Sequence, residues 1–121
     1  MPDYIWDVIR SVSIVPVVAV LAGIFMWKFT PKNANQIVGY RSRRSMTNET
    51  TWKFANHYCG RLWLIFGLII WVIAIAVVVM FKNSPEDTLD TIRLVILPVQ
   101  AALLCLSIIP VELKLKKEFN I

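Results

Sequence analysis

Three long apolar blocks separated by polar connectors organise this chain. No charged residue occurs from Ser11 to Trp27, from Leu62 to Phe81, or from Leu94 to Val111. A helix of roughly 20 residues crosses a bilayer core of about 30 Å, and each block is close to that length. Within the blocks neither a 3.6-residue nor a 2-residue amphipathic period dominates; they are apolar all round, as helices surrounded by lipid and other helices are. Open strands would leave backbone groups unpaired in hydrocarbon. A soluble bundle of buried helices would need amphipathic segments to cover it, and none remain. The pattern predicts an all-α integral membrane protein. It has one membrane domain over 1–121, with three transmembrane helices at about 9–29, 60–82 and 92–111 and a connecting loop at 30–59. Pro16 and Pro98 fall inside spans one and three, where a neighbour or water can satisfy the carbonyl that each proline frees.

Composition agrees: 57 % of the 121 residues are hydrophobic and 17 % charged, against about 45–50 % and about 25 % in soluble domains. This excludes disorder, and two cysteines exclude a stapled secreted fold. Block one is expected to be a retained span and not a cleaved leader. Asp3 and Asp7 outnumber Arg10 ahead of it, and no small-residue cleavage site follows.

Charge sets the orientation. Lys28 to Arg61 carries +6 and the tail after Val111 +1, while Met1–Arg10 and Lys82–Arg93 carry −1 each. Ten of the thirteen basic residues therefore lie on one side, which the positive-inside rule assigns to the cytosol. The expected location is a bacterial inner (cell) membrane, with the N-terminus outside and the C-terminus cytoplasmic. Trp6, Trp27, Tyr58, Trp63 and Phe81 lie near block ends, where amphipathic rings favour the interface.

On the cytosolic side the Asn48-Glu49-Thr50 sequon is fortuitous. Cys59 and Cys105 are expected to be free thiols. His57 and Cys59 lack a second pair of ligands, so no metal is expected.

Small residues give candidate packing faces. These are Ala19 and Gly23 in the first span; Gly60, Gly67 and Ala74, seven apart, in the second; and Ala101 and Cys105 in the third. The expectation is that the three faces meet. The spans hold no ionisable residue away from their ends, which argues against a proton-coupled pump. Gln100 and Ser107, seven apart, share a face and are expected to make helix–helix hydrogen bonds. No nucleotide-binding, zinc-protease or hydrolase signature is present, and neither an enzyme nor a cofactor is expected.

The loop carries the most information. Thr47 or Asn48 can cap a helix with Glu49 in its first turn, and Trp52, Asn56 and Cys59 follow at helical spacing. This predicts a short interfacial helix near Thr47–Tyr58, with Trp52 dipping toward the headgroups as an anchor. Arg41 has two readings. In one, Arg41, Arg43 and Arg44 together mark topology and contact anionic lipids. In the other, Arg41 is buried and bonded to Asn33, Asn56 or Glu112. The second reading makes the loop a compact cap on the helix ends, tied by Asn33, Arg41, Ser45, Trp52 and Asn56.

The run Pro31, Asn33, Gly39, Arg41, Ser42, Ser45, Asn48, Trp52, Asn56, Gly60, Arg61, followed by a span, resembles the signature of the SdpI family. These are membrane immunity proteins against the sporulation-delaying peptide toxin. Longer members have extra spans before this unit, and the present chain reads as a short single-unit member. Ser42 stands where Thr is more frequent. The resemblance implies protection against a membrane-active toxin peptide. It also implies, as an alternative, a membrane-bound regulator that recruits a cytosolic repressor through the basic loop. An oligomeric small transporter or channel is a third reading, and a homo-oligomer is compatible with all three. Direct binding of nucleic acid is not expected, because the basic loop is short and has no recognisable binding fold.

Overall fold

A computed structural model describes residues 3–29 and 40–120. Every regular element among them is helical: α1 (Asp3–Lys28), α2 (Glu49–Met80), α3 (Glu86–Leu106) and α4 (Ile108–Phe119). Three stretches are long and apolar enough to cross a membrane: α1, α2, and α3 with α4 as one run, Glu86–Phe119.

α1 and α2 form the central pair. The buried row on α1 is Ile5, Val8, Val12, Pro16, Ala19, Gly23 and Met26. Ile5, Val12, Ala19 and Met26 recur every seven residues, the repeat that keeps one seam facing a partner helix. The matching row on α2 includes Gly60, Gly67 and Ala74. The two backbones approach closely where Gly23 meets Gly60. A methyl built on either glycine lies 2.6 Å from the other's carbonyl oxygen, so only hydrogen fits between the backbones.

Proline chemistry explains the placement of α3. Pro16 has no N–H to give the Val12 carbonyl four residues back. Gln100 Nε2 donates to that carbonyl instead, at 3.0 Å. Two more interior bonds tie the bundle: Trp71 Nε1 donates to Ser13 Oγ and Trp63 Nε1 to Ser107 Oγ, both at 2.8 Å. Bonds of this kind contribute about 0.6–2 kcal/mol each in a bilayer. The bond at Ser107 falls where α3 gives way to α4. Pro110, in the first turn of α4, has no N–H to continue the ladder to Leu106, and the break follows from that.

The Gln100 bond also fixes the rotation of α3, which corrects one expectation. Ala101 and Cys105 are both exposed and do not join the seam, while Gln100 and Ser107 face inward and are buried. Ala101 is one residue, about 100° of helix, beyond Gln100, so both cannot face α1.

Two apolar clusters close the ends. One gathers Ile5, Val8, Val12, Ala74, Val78 and Leu89, and beside it Tyr4 and Arg93 both bond to the Asp90 carboxylate. The other gathers Met26, Ala55, Cys59, Val111 and Leu115 and underlies the polar loop.

Candidate functional site

The segment from Tyr40 to Asn48 folds over the start of α2 and the side of α4. It begins from a well-made helix start. Asn48 Oδ1 accepts from the Thr51 amide at 2.9 Å, and Thr51 Oγ1 accepts from the Asn48 amide at 3.0 Å. This reciprocal box satisfies donors that a helix N-terminus leaves bare, and Glu49 lies in the first turn near the positive dipole end.

Asn56, one turn above Trp52, holds the incoming chain. Its Oδ1 accepts from the Tyr40 amide at 2.7 Å, and its Nδ2 donates to the carbonyls of Tyr40 at 3.3 Å and Trp52 at 2.9 Å. Ser45 continues the wrap: its Oγ donates to the Ser42 carbonyl at 2.7 Å and its amide to Ser42 Oγ at 3.1 Å. Thr51 Oγ1 lies 3.1 Å from the Ser45 carbonyl, so its proton can serve that oxygen. Ser45, Thr51, Trp52 and Asn56 are all fully buried. Buried polar groups are tolerated because they are bonded, and this set leaves the loop backbone little freedom.

Glu112 on α4 is the point where the loop meets the third span. Its carboxylate accepts from the Tyr40 hydroxyl, from Ser42 and from Arg44 Nη1, the last at 3.1 Å. Burial, and then the bond to Glu112, push the Tyr40 phenol above its ordinary range, so Tyr40 remains a donor. Nearby, Trp27 lies under two cations, Lys28 Nζ at 4.0 Å and the Arg61 guanidinium at 5.8 Å.

Several loop expectations change. Residues 49–58 do not form a separate interfacial helix; they are the first turns of the continuous 32-residue α2. Trp52 is not a headgroup anchor, because it is wholly enclosed. Arg41 is exposed, and the guanidinium at Glu112 belongs to Arg44. Asn33 and Gly39 lie outside the described residues. Ser42, Ser45, Trp52, Asn56 and Gly60 are brought to one end of the bundle; Arg61 is exposed beside Trp27. Sequence reasoning missed Tyr40, Arg44 and Thr51. Thr51, three residues after Asn48, was a legible capping signal; the other two had none.

Among the described residues there is no cluster of side chains that could hold a metal ion. The arrangement is a structural lock, joining loop, α2 and α4 at one end of three membrane-crossing helices. Fold and site together define a multi-pass helical membrane protein with a polar end cap. The chain belongs to the SdpI/YfhL protein family, whose model matches residues 32–111, from the loop through most of the third span. Over 51 residues it is 43 % identical to the Bacillus subtilis (strain 168) protein named "Uncharacterized protein YfhL". That stretch is 42 % of this chain and 46 % of the relative, so the match spans just under half of the curated protein's length. No solved structure matches.

Proposed function

We propose that this protein protects a bacterial cell against a membrane-active toxin peptide by binding it within the bilayer. The observation that carries this reading is the outward surface of the spans. Ile14, Val18, Leu68, Val72, Leu94 and Val95 are all about half exposed or more, on helices with no charged group in their central stretches. Such faces offer a packing surface to another apolar helix, held rigid by the locked end. Membership of the SdpI/YfhL family supports the reading.

In this account the cap and the C-terminus face the cytosol and the Pro85 turn faces outward, a reading supported by the distribution of basic residues. The cap supplies rigidity, and its exposed Arg41 and Arg43 lie against anionic headgroups, each worth about 1 kcal/mol near the surface. Expression in a toxin-sensitive host challenged with a sporulation-delaying-type peptide tests the function. Survival at doses that kill the empty-vector strain is expected; no rescue across the dose range removes the reading.

A specific observation favours one second reading. Arg43, Arg44, Ser42, Thr47, Glu112 and Ile108 line an open hollow beside the cap. In this reading the hollow recruits a soluble repressor. Capture of a cytosolic protein by the wild-type chain, lost on Arg43→Ala, is its expected signature.

A further inference from the structure

Between α2 and α3 a groove opens sideways from the bundle. Its walls are aliphatic, formed by Ile70, Ile73, Val77, Val95, Val99 and Leu103, and its volume is about 180 Å³. Gln100 is the one polar side chain in its lining. This amide is 2 % exposed. Its Nε2 is engaged by the Val12 carbonyl that Pro16 leaves free, while its Oε1 is buried with no hydrogen-bond partner among the described residues. Turning the amide over offers no remedy, since it would set Oε1 against the Val12 carbonyl, acceptor against acceptor. Gln100 lies seven residues from Arg93 and twelve from Glu112, the nearest charges on its span, or roughly 10 and 18 Å of helix rise, and within three residues of the middle of the charge-free block Leu94–Val111. It is therefore near mid-membrane, where no bulk water can supply the missing donor.

We propose that the groove seats a membrane-inserted helix of another polypeptide, which carries one hydroxyl or amide donor at mid-membrane depth aimed at Gln100 Oε1. The aliphatic walls select an apolar helix. The single unsatisfied acceptor selects a donor at one depth and so sets the occupant's register. Val95 and Val99, at 58 % and 50 % exposure, stand at the rim, and the occupant reaches the oxygen by displacing them. A second copy of this chain fits less well. The exposed side chains of α2 from Ile65 to Val79, and of α3 from Leu94 to Leu103, are all apolar, so a homodimer packed on these faces brings no donor. The inference rests on the reading of the chain as a receptor for a membrane-inserted peptide, and it locates the seat.

The test uses the full-length chain in phosphatidylcholine vesicles and two synthetic helices of about 22 residues. One is a leucine–alanine host; the other is the same host with a central asparagine. Binding is read by energy transfer, with peptide self-association measured separately and subtracted. Replacing Gln100 would also strip Val12 of its donor, so the variant is made in a Pro16→Ala background, where a backbone N–H serves that carbonyl. The asparagine peptide is expected to bind wild type and Pro16→Ala about 3- to 10-fold more tightly than the host. In Pro16→Ala/Gln100→Leu the ratio falls to one while host affinity holds. A ratio of one on wild type, or a ratio that persists in the Gln100→Leu chain, overturns the inference. So does chain–chain transfer abolished by Gln100→Leu, which assigns the groove to a second copy. Toxin protection is scored separately in cells. Its absence with the peptide preference intact rejects the receptor reading alone, and protection without the preference rejects the inference alone.

Discussion

Replacing Gly60 by alanine attacks a contact where the α1 and α2 backbones nearly touch. The added methyl lies 2.6 Å from the Gly23 carbonyl oxygen, 2.6 Å from the Trp27 amide nitrogen and 3.0 Å from Met26 Cβ. Ordinary contact begins at 3.4 Å, so α1 and α2 must separate by about 0.8 Å. Two of the three neighbours are backbone atoms, which cannot rotate away. Overpacking typically costs about 1–3 kcal/mol, and two backbone clashes place this case at the upper end. Alanine's better helix propensity returns up to about 1 kcal/mol. The net loss is about 2 kcal/mol, or roughly 30-fold in the folding equilibrium. Unfolding of the purified chain in mixed micelles of increasing SDS fraction, followed by tryptophan fluorescence, measures it. Gly67→Ala is the internal comparison: its nearest obstacle is a side-chain methyl, Val20 Cγ2 at 2.8 Å, and the backbone atoms, Pro16 O and Val20 N, stand off at 3.1 and 3.2 Å, so it costs less. Gly23→Ala with Gly60→Ala costs less than the sum, because one separation relieves both clashes. A Gly60→Ala chain as stable as wild type, or more so, refutes the claim that the two backbones touch here.

Other consequences follow from the same contacts. Gln100→Leu leaves the Val12 carbonyl bare and costs about 1–2 kcal/mol; in a Pro16→Ala chain the cost falls below about 0.5 kcal/mol, and a double-mutant cycle on the same unfolding assay reads the coupling. Trp52→Ala empties a wholly enclosed site and loses about 3–5 kcal/mol; an effect under 1 kcal/mol would return Trp52 to the interface. Glu112→Gln keeps an acceptor for Tyr40 but breaks the ion pair with Arg44, costing about 1 kcal/mol at this partial exposure. A double-mutant cycle with Arg44→Gln should return a coupling energy of about that size, and salt titration of both variants checks it.

Much of the fold is legible in the sequence because hydrocarbon imposes few choices. Charge-free blocks of span length, the Asn48 cap and the heptad of Gly60, Gly67 and Ala74 each follow from local rules. So does the pairing of Gln100 with Ser107 on one inward face. What escapes is decided by tertiary contact. Trp52 has an apolar body and a polar edge, so its sequence position suits an interface and an interior alike; Asn56 and Ser45 decide, by drawing the loop over it. Arg41 and Arg44 are equivalent in composition. The turn at 43–46 sends Arg44 toward α4 and leaves Arg41 outward. The small residues of α3 mislead because the freed carbonyl at Val12, on another helix, sets its rotation. Pro16 was visible, but its partner 84 positions later was not.

The central claim is a chain that crosses the bilayer three times, with cap and C-terminus on the cytosolic side. Labelling of single-cysteine positions in intact cells with a membrane-impermeant maleimide tests it most directly, using Asn83→Cys in the turn before α3 and Arg43→Cys in the cap. The account predicts that position 83 reacts at once and position 43 only after the membrane is permeabilised. Reaction at position 43 in intact cells, with position 83 protected, would contradict it.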